Sequence, residues 1–109
     1  MKTEALRKCF QLIEFLNELT GKERAKYLRH ATSTVIKFLT DICYNILLGN
    51  IKLSPKILTK LKTERRLIEA ICEKNISLKK RRKILLKKDF FLNVIRPVIR
   101  RLRVHYGVQ

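Results

Sequence analysis

The sequence has few of the residues that make turns. It contains three glycines and two prolines among 109 residues, and it has no tryptophan. It also lacks the strict alternation of apolar and polar residues that marks half-buried strands. The tight turns that connect such strands usually need glycine or proline. These absences exclude a strand-rich fold, and the sequence predicts an all-α protein.

Cysteine and histidine are also few and scattered. Cys9, Cys43 and Cys72 lie far apart with no Cys-x-x-Cys pair, and His30 and His105 stand alone. The spacing of these residues fits neither a zinc site nor a disulfide framework. We expect no metal, no cofactor and no catalytic site, and we expect three buried thiols in a reducing intracellular compartment.

Long apolar runs are missing as well. No stretch of about 18 residues is free of charge, so no membrane span is predicted. The first 19 residues mix charged with apolar side chains, which is unlike the apolar centre of a secretion signal.

Acidic residues are scarce relative to basic ones. The chain has 26 Lys+Arg and 9 Asp+Glu, for a net charge of +17. Residues 1–54 carry 9 basic and 5 acidic side chains (net +4), whereas residues 55–109 carry 17 and 4 (net +13). Such an excess opposes compaction and is typical of proteins with an anionic partner. We therefore predict that the basic half, residues 55–104, binds a polyanion, with nucleic acid and specifically DNA as the first candidate.

Helical periodicity predicts a single compact domain over residues 1–105, with four to five helices, a long second helix and a basic C-terminal helix. Helix one is expected over residues 3–19, with Gly21 as its C-cap. Helix two is expected to run from residue 22 to residue 48 without a break and to end at Gly49 and Asn50. The alternative is a restart with one of Thr32, Ser33 or Thr34 as an N-cap. Its heptad-like seam is a predicted dimer or partner surface, formed by Leu28, Val35, Leu39, Ile42 and Ile46.

The helices of the second half have clearer start signals. Ser54 and Pro55 are expected to open helix three, which would run to about Asn75. Ser77 is the predicted N-cap of helix four, residues 78–88. Asp89 is the predicted N-cap of a last helix that kinks near Pro97, and residues 106–109 are predicted to form a frayed tail.

Five consecutive cations, residues 79–83, are the most distinctive feature of the basic half. On a helix they sweep more than one turn, so several must point outward and can neutralise phosphates without reading base sequence. The predicted nucleic-acid contacts are Lys79, Lys80, Arg81, Arg82, Lys83, Lys87, Lys88, Arg96, Arg100, Arg101 and Arg103.

Two other interpretations of this region stay open. A Lys/Arg run is also the usual form of a nuclear localisation signal. Helices three and four could form a helix-turn-helix, although the turn lacks the expected glycine and helix four has no Asn or Gln to read adenine.

The last segment, residues 90–104, is basic and amphipathic, and such segments also bind anionic membranes. Aromatic residues are few, and Phe90, Phe91 and Tyr106 do not predict a platform on which bases could stack.

A family resemblance adds to these patterns. Between Leu47 and Leu92 it is carried by the spacing of Gly49-Asn50, Leu53-Ser54, Lys60-Leu61 and the run Ser77-Leu78-Lys79-Lys80-Arg81-Arg82. In this spacing the chain resembles short basic proteins of Maverick/Polinton-type DNA elements and adintovirus-like viruses, some of which are likened to the adenoviral mu core protein. The resemblance implies a virion- or element-associated protein that packages or contacts DNA, in the nucleus or the virion. The chain departs from the family's Gly-Gly-Phe-Leu at residues 89–92, where it has Asp-Phe-Phe-Leu.

The sequence thus leaves three hypotheses. The first is a non-enzymatic protein that binds or condenses DNA without sequence specificity. The second is a helical interaction module that dimerises, or docks a host or capsid partner, through the seam of helix two. The third is a protein that acts at a membrane surface through its last helix.

Overall fold

The computed structural model describes residues 3–87 and 89–107, along which seven α-helices follow one another: α1 (Thr3–Glu18), α2 (Gly21–Arg29), α3 (Ser33–Leu47), α4 (Pro55–Lys62), α5 (Arg65–Ile71), α6 (Leu78–Leu85) and α7 (Ile99–Tyr106). A π-helical turn (Phe91–Ile95) and a 3-10 turn (Arg96–Val98) precede α7. These residues contain no strand, and they form one globule of 32 × 30 × 29 Å. The prediction of a single all-α domain is confirmed, whereas the predicted count of four to five helices is too low.

Helix α3 lies at the centre of the packing. It contacts α5 and α6, which also contact each other, while α2 packs against α6 and α1 against α7. The buried side of α3 contributes Ile36, Leu39 and Ile42, and α1 adds Phe10 and Ile13, all of them almost fully shielded from solvent. Burying such a side chain contributes about 1.5–3 kcal/mol relative to leaving it exposed. The side of α1 that carries Phe10 and Ile13 is therefore a core face.

The predicted long second helix is wrong, because two capped helices replace it. Thr20 and Glu23 form a capping box: the Thr20 backbone N–H donates to Glu23 Oε1 (2.9 Å), and the Glu23 N–H donates to Thr20 Oγ1 (3.2 Å). The second of these two helices, α3, follows its N-cap Thr32, whose Oγ1 accepts a hydrogen bond from the Val35 N–H (3.4 Å). Thr32 satisfies a first-turn N–H that a continuous helix would have bonded internally.

The two predicted glycine caps have different outcomes. Gly21 is the first residue of α2 and not the C-cap of α1, because Thr20 begins a new helix immediately before it. Gly49 does end α3 as predicted. It has a φ of +73°, and the N–H groups of Gly49 and Asn50 donate to the carbonyls of Ile46 (3.1 Å) and Asn45 (3.0 Å). These are the two bonds of a Schellman motif.

In the second half the predicted helix starts at Ser54 and Ser77 are confirmed, whereas the predicted helix ends are wrong. Ser54 and Ser77 cap α4 and α6 as predicted. Helix three is interrupted, because Thr63 Oγ1 donates to the Lys60 carbonyl (2.7 Å) and α4 stops there. The connection between α5 and α6, residues 72–77, is longer than the three- or four-residue turn of a helix-turn-helix.

The predicted break near Pro97 is confirmed, but Asp89 is not an N-cap. Proline has no N–H, and the chain passes through the π-helical and 3-10 turns before α7 begins. Asp89 has a φ of +66° and forms the turn after α6. Aspartate tolerates this left-handed conformation better than most residues. The Asn93 N–H donates to the backbone carbonyl of Asp89 (2.8 Å), whereas an N-cap accepts a hydrogen bond through its side chain.

The predicted frayed tail begins too early, because Tyr106 is anchored. It is the last residue of α7; its hydroxyl donates to Asp41 Oδ2 (2.6 Å) and accepts from Asn45 Nδ2 (3.0 Å). Its ring packs edge-to-face on Phe10, with ring centroids 5.9 Å apart. Burial and the Asp41 carboxylate raise the pKa of Tyr106. Residues 108 and 109 lie outside the described part.

The three cysteines are free thiols. Cys43 is fully buried, and burial raises its pKa strongly. Cys9 and Cys72 are half-buried, and burial raises the pKa of both to a smaller extent. The prediction of buried thiols is therefore confirmed in full for Cys43 alone.

Candidate functional site

The outward face of α6 is made of lysines. Lys79, Lys80 and Lys83 are exposed, while Ile84 and Leu85 on the opposite face are buried. The helix contains no acidic residue, and Lys87 is exposed just beyond its end. At 100° per residue the three lysines of the helix share one side. The predicted run thus supplies three converging cations and not five.

The two arginines of the run turn inward: Arg81 caps α5, and Arg82 bonds a carbonyl in the connection between α2 and α3. Arg81 donates through Nε to the Ile71 carbonyl (3.1 Å) and through Nη2 to the Glu73 carbonyl (2.9 Å), both at the C-terminal end of α5. Arg82 Nη2 donates to the Ala31 carbonyl (2.6 Å) after α2. Helix ends have carbonyls without intrahelical partners, and cations are stabilising there. Both predicted phosphate contacts are therefore engaged within the chain.

The predicted contacts of the last segment divide in the same way. Arg96 donates to the Asn17 side-chain and backbone oxygens, the second at 3.1 Å, and so caps α1. Arg103 forms an ion pair with Glu14. Arg100 and Arg101 are exposed. Of these four cations, Arg96 is exposed but hydrogen-bonded to α1, Arg103 is ion-paired, and Arg100 and Arg101 of α7 are exposed. Lys88 lies outside the described residues.

Arg24 is a buried cation that the sequence patterns did not predict. It is 6% exposed, and its guanidinium donates to the carbonyls of Leu16 (3.0 Å, from Nε) and Leu19 (2.9 Å, from Nη2) at the end of α1. The guanidinium lies over the Phe91 ring, 4.7 Å from its centroid. Burial, and secondly repulsion by Arg96, lower the pKa of Arg24. Its burial could have been inferred from the sequence spacing, because Arg24 precedes the core residue Leu28 by about one helical turn and so lies on the same side of α2.

A second row of cations, on α2, was also missed. Lys22, Lys26 and Arg29 are exposed and follow one another at four- and three-residue steps, so they form one stripe. Counting charge by halves concealed them, because α2 belongs to the half with less net charge. The stripe is visible in the sequence only once α2 is recognised as a separate helix.

The two rows of cations lie on two helices, α2 and α6, that pack against each other. Ala25 and Leu28 of α2 line a cavity of about 320 Å³ together with Leu85, Leu86 and Lys87. Ala25 also borders the shallow surface hollow between Lys22, Lys26 and Arg29. Lys83 and Lys79 precede Lys87 by four and eight residues on the same side of α6. We name this surface the α2–α6 basic face, formed by Lys22, Lys26, Arg29, Lys79, Lys80, Lys83 and Lys87.

The cations of the α2–α6 basic face are available to a ligand. Within residues 3–87 and 89–107 the ion pairs are Arg7 with Glu4, Arg65 with Glu69 and Arg103 with Glu14, and none involves this face. Two carboxylates lie beside these cations: Glu23 borders the same hollow as Lys22 and Lys26, and Asp89 lines the same cavity as Lys87. Hydrogen bonds from Thr20 lower the pKa of Glu23 and so favour its charged form. The face therefore combines seven cations with two acids.

The predicted dimer seam is a core seam. Leu28, Leu39 and Ile42 are buried inside the chain, and Val35 and Ile46 pack against the same core. The heptad-like spacing arises because α2 and α3 both turn their apolar sides to one interior. Leu28, Leu39 and Ile42 are therefore not available to a second chain, and the assignment is corrected for these three residues, whereas Val35 and Ile46 are half-buried. Leu47 and Leu58 are the exposed apolar residues nearest to it, over a shallow hollow bordered by Lys62 and Arg65.

The apolar side of the last segment is also internal. Phe91, Val94, Ile95, Val98 and Leu102 are at most 3% exposed, so they are not free to insert into a membrane surface. Among the described residues, no helix combines the length and the apolar character that spanning a bilayer requires.

Comparison of the chain with protein-family models, with curated proteins and with solved structures found no match.

Proposed function

We propose that the protein binds nucleic acid, with duplex DNA as its first ligand, through phosphate contacts made by the α2–α6 basic face and without reading base sequence. It acts as a binding or condensing protein and not as an enzyme. The observation that carries this proposal is that seven exposed cations lie on or next to α2 and α6, two helices in contact, while the neighbouring arginines bond backbone carbonyls of the fold.

Lysine suits this task because its ammonium is a hydrated point charge on a flexible stem that can follow an irregular row of phosphates. Phosphate contacts hold the duplex but carry no sequence information. The outer face of α6 presents lysine ammonium groups and none of the amide pairs that recognise adenine. The resemblance to basic proteins of viruses and mobile elements agrees with this proposal, and with it we propose the virion or the nucleus as the place of action.

Titrating a labelled duplex of mixed sequence at several salt concentrations tests the proposal. If about six phosphates are neutralised, log K falls against log salt with a slope of about −5, so binding weakens roughly a thousandfold between about 50 and 200 mM salt. A second duplex of unrelated sequence is expected to give the same curve. The absence of binding at about 20 mM salt, where phosphate contacts are strongest, would rule the proposal out.

A further inference from the structure

An apolar groove with aromatic walls lies beside the α2–α6 basic face, between α1 and α2. Its volume is about 550 Å³, and its lining includes Phe15, Leu19 and Tyr27 together with the charged or polar side chains of Glu23, Lys26 and His30. Phe15 is 51% exposed, more than any other phenylalanine or tyrosine among the described residues.

The two aromatic rings leave a surface open for stacking. Phe15 and Tyr27 meet edge-to-face, with centroids 6.1 Å apart and planes at 72°. An edge-to-face contact covers at most one face of each ring. Half of the Phe15 side chain therefore stays open to solvent next to a ring that holds it in place.

The groove is continuous with the basic face. Lys26 borders the groove and also the hollow that it shares with Lys22 and Arg29. An occupant of the groove that carries a negative charge on a short arm would place that charge beside three cations of α2, which outnumber the one carboxylate there, that of Glu23. A nucleotide has this chemistry, because its base has a π face and its phosphate is about one sugar away.

We infer that the groove binds an unpaired base, which stacks on Phe15 while the adjoining phosphates contact Lys22, Lys26 and Arg29. This inference rests on the proposed function, and it adds nucleic acid with single-stranded stretches to the ligands of the basic face. In a duplex both faces of each internal base are covered by neighbouring bases, so a duplex engages the cations alone. Stacking on an aromatic side chain is tolerant of sequence, which agrees with binding that does not read bases.

The test measures the affinity of the whole chain for three probes of equal length: a thymidine oligonucleotide, an abasic deoxyribose-phosphate chain and a duplex. The wild-type protein is expected to bind the thymidine strand about tenfold more tightly than the abasic strand, which has the same phosphates. Phe15→Ala is expected to remove this tenfold difference and to leave abasic and duplex binding unchanged. Phe15→Leu, which keeps an apolar side chain without a π system, is expected to behave like Phe15→Ala.

Tyr44→Ala is the matched control. Tyr44 is 48% exposed on α3, twelve residues beyond Thr32 at the groove edge, which is about 18 Å along the helix. The Tyr44→Ala variant is expected to bind all three probes with the affinity of the wild-type protein.

Each alternative outcome has one meaning. Equal binding of thymidine and abasic strands, with duplex binding intact, overturns the stacking site and leaves the proposed function standing. No binding of any probe overturns both. A Phe15→Ala variant that weakens all three probes equally also overturns the site, as does self-association that Phe15→Ala abolishes without any change in oligonucleotide affinity.

Discussion

Simultaneous replacement of Lys79, Lys80 and Lys83 by glutamine is expected to weaken binding to duplex DNA about a hundredfold at about 0.15 M salt. Three lost phosphate contacts lower the salt slope by about 2.7, and at this salt concentration each contact supplies somewhat less than a factor of ten. The three side chains are exposed and bond to nothing that the fold requires. We therefore expect the free energy of unfolding to change by less than about 0.5 kcal/mol. A fluorescence titration and a urea unfolding curve measure the two quantities.

The control for this variant changes three lysines of α4. Lys56, Lys60 and Lys62 are also exposed, and their replacement by glutamine removes the same net charge. Binding is expected to fall by less than about fivefold, because only the general field of the protein changes. Equal losses in the two triple variants would mean that total charge governs binding and that the α2–α6 basic face has no special part.

Replacement of Arg24 by methionine is expected to lower the free energy of unfolding by about 3 kcal/mol. The change removes two charge-assisted hydrogen bonds to buried carbonyls at the end of α1, together with the contact of the guanidinium with the Phe91 ring. Methionine fills much of the space but leaves the carbonyls of Leu16 and Leu19 without their donor. Urea unfolding followed by circular dichroism gives the difference.

Two further variants define the cause of that loss. Arg29→Met removes an exposed arginine from the same helix and is expected to change the free energy of unfolding by less than about 0.5 kcal/mol. Arg24→Lys keeps the charge but cannot reach both carbonyls with one planar group, so an intermediate loss is expected. A loss below about 1 kcal/mol for Arg24→Met would contradict the capping role.

The sequence predicted the features of the fold that depend on local chemistry. Ser54 and Ser77 were recognised as N-caps because the hydroxyl oxygen of a serine just before a helical pattern can accept a hydrogen bond from a first-turn N–H. The break near Pro97 follows from a missing N–H. The long second helix was wrong for a non-local reason: α2 and α3 present their apolar sides to one core, so their periodicities join in phase across Thr32. Asp89 was misassigned because its backbone conformation, and not its side chain, makes the turn.

The candidate site was predicted in part for a similar reason. A run of five cations shows that some must be exposed, but the direction of each depends on which helix end lies opposite. Arg81 and Arg82 meet the ends of α5 and α2, and those positions are fixed only by the packing of α6 on its neighbours. The stripe on α2 and the ring of Phe15 come from sequence distant from the run. Only the tertiary contact between α2 and α6 makes them parts of one surface.

The central claim is that the lysines of the cationic run bind the ligand while its arginines hold the fold. It is tested most directly by two double variants, Lys79→Gln with Lys80→Gln and Arg81→Gln with Arg82→Gln, which each remove two charges from the same five residues. Duplex affinity is measured at about 0.15 M salt, at a temperature where circular dichroism shows both proteins folded, together with unfolding in urea. The lysine pair is expected to lose about thirtyfold in affinity with unchanged stability, and the arginine pair about 3 kcal/mol of stability with affinity within about threefold of wild type. Equal losses of affinity in the two folded variants, or an arginine pair as stable as the wild type, would contradict the claim.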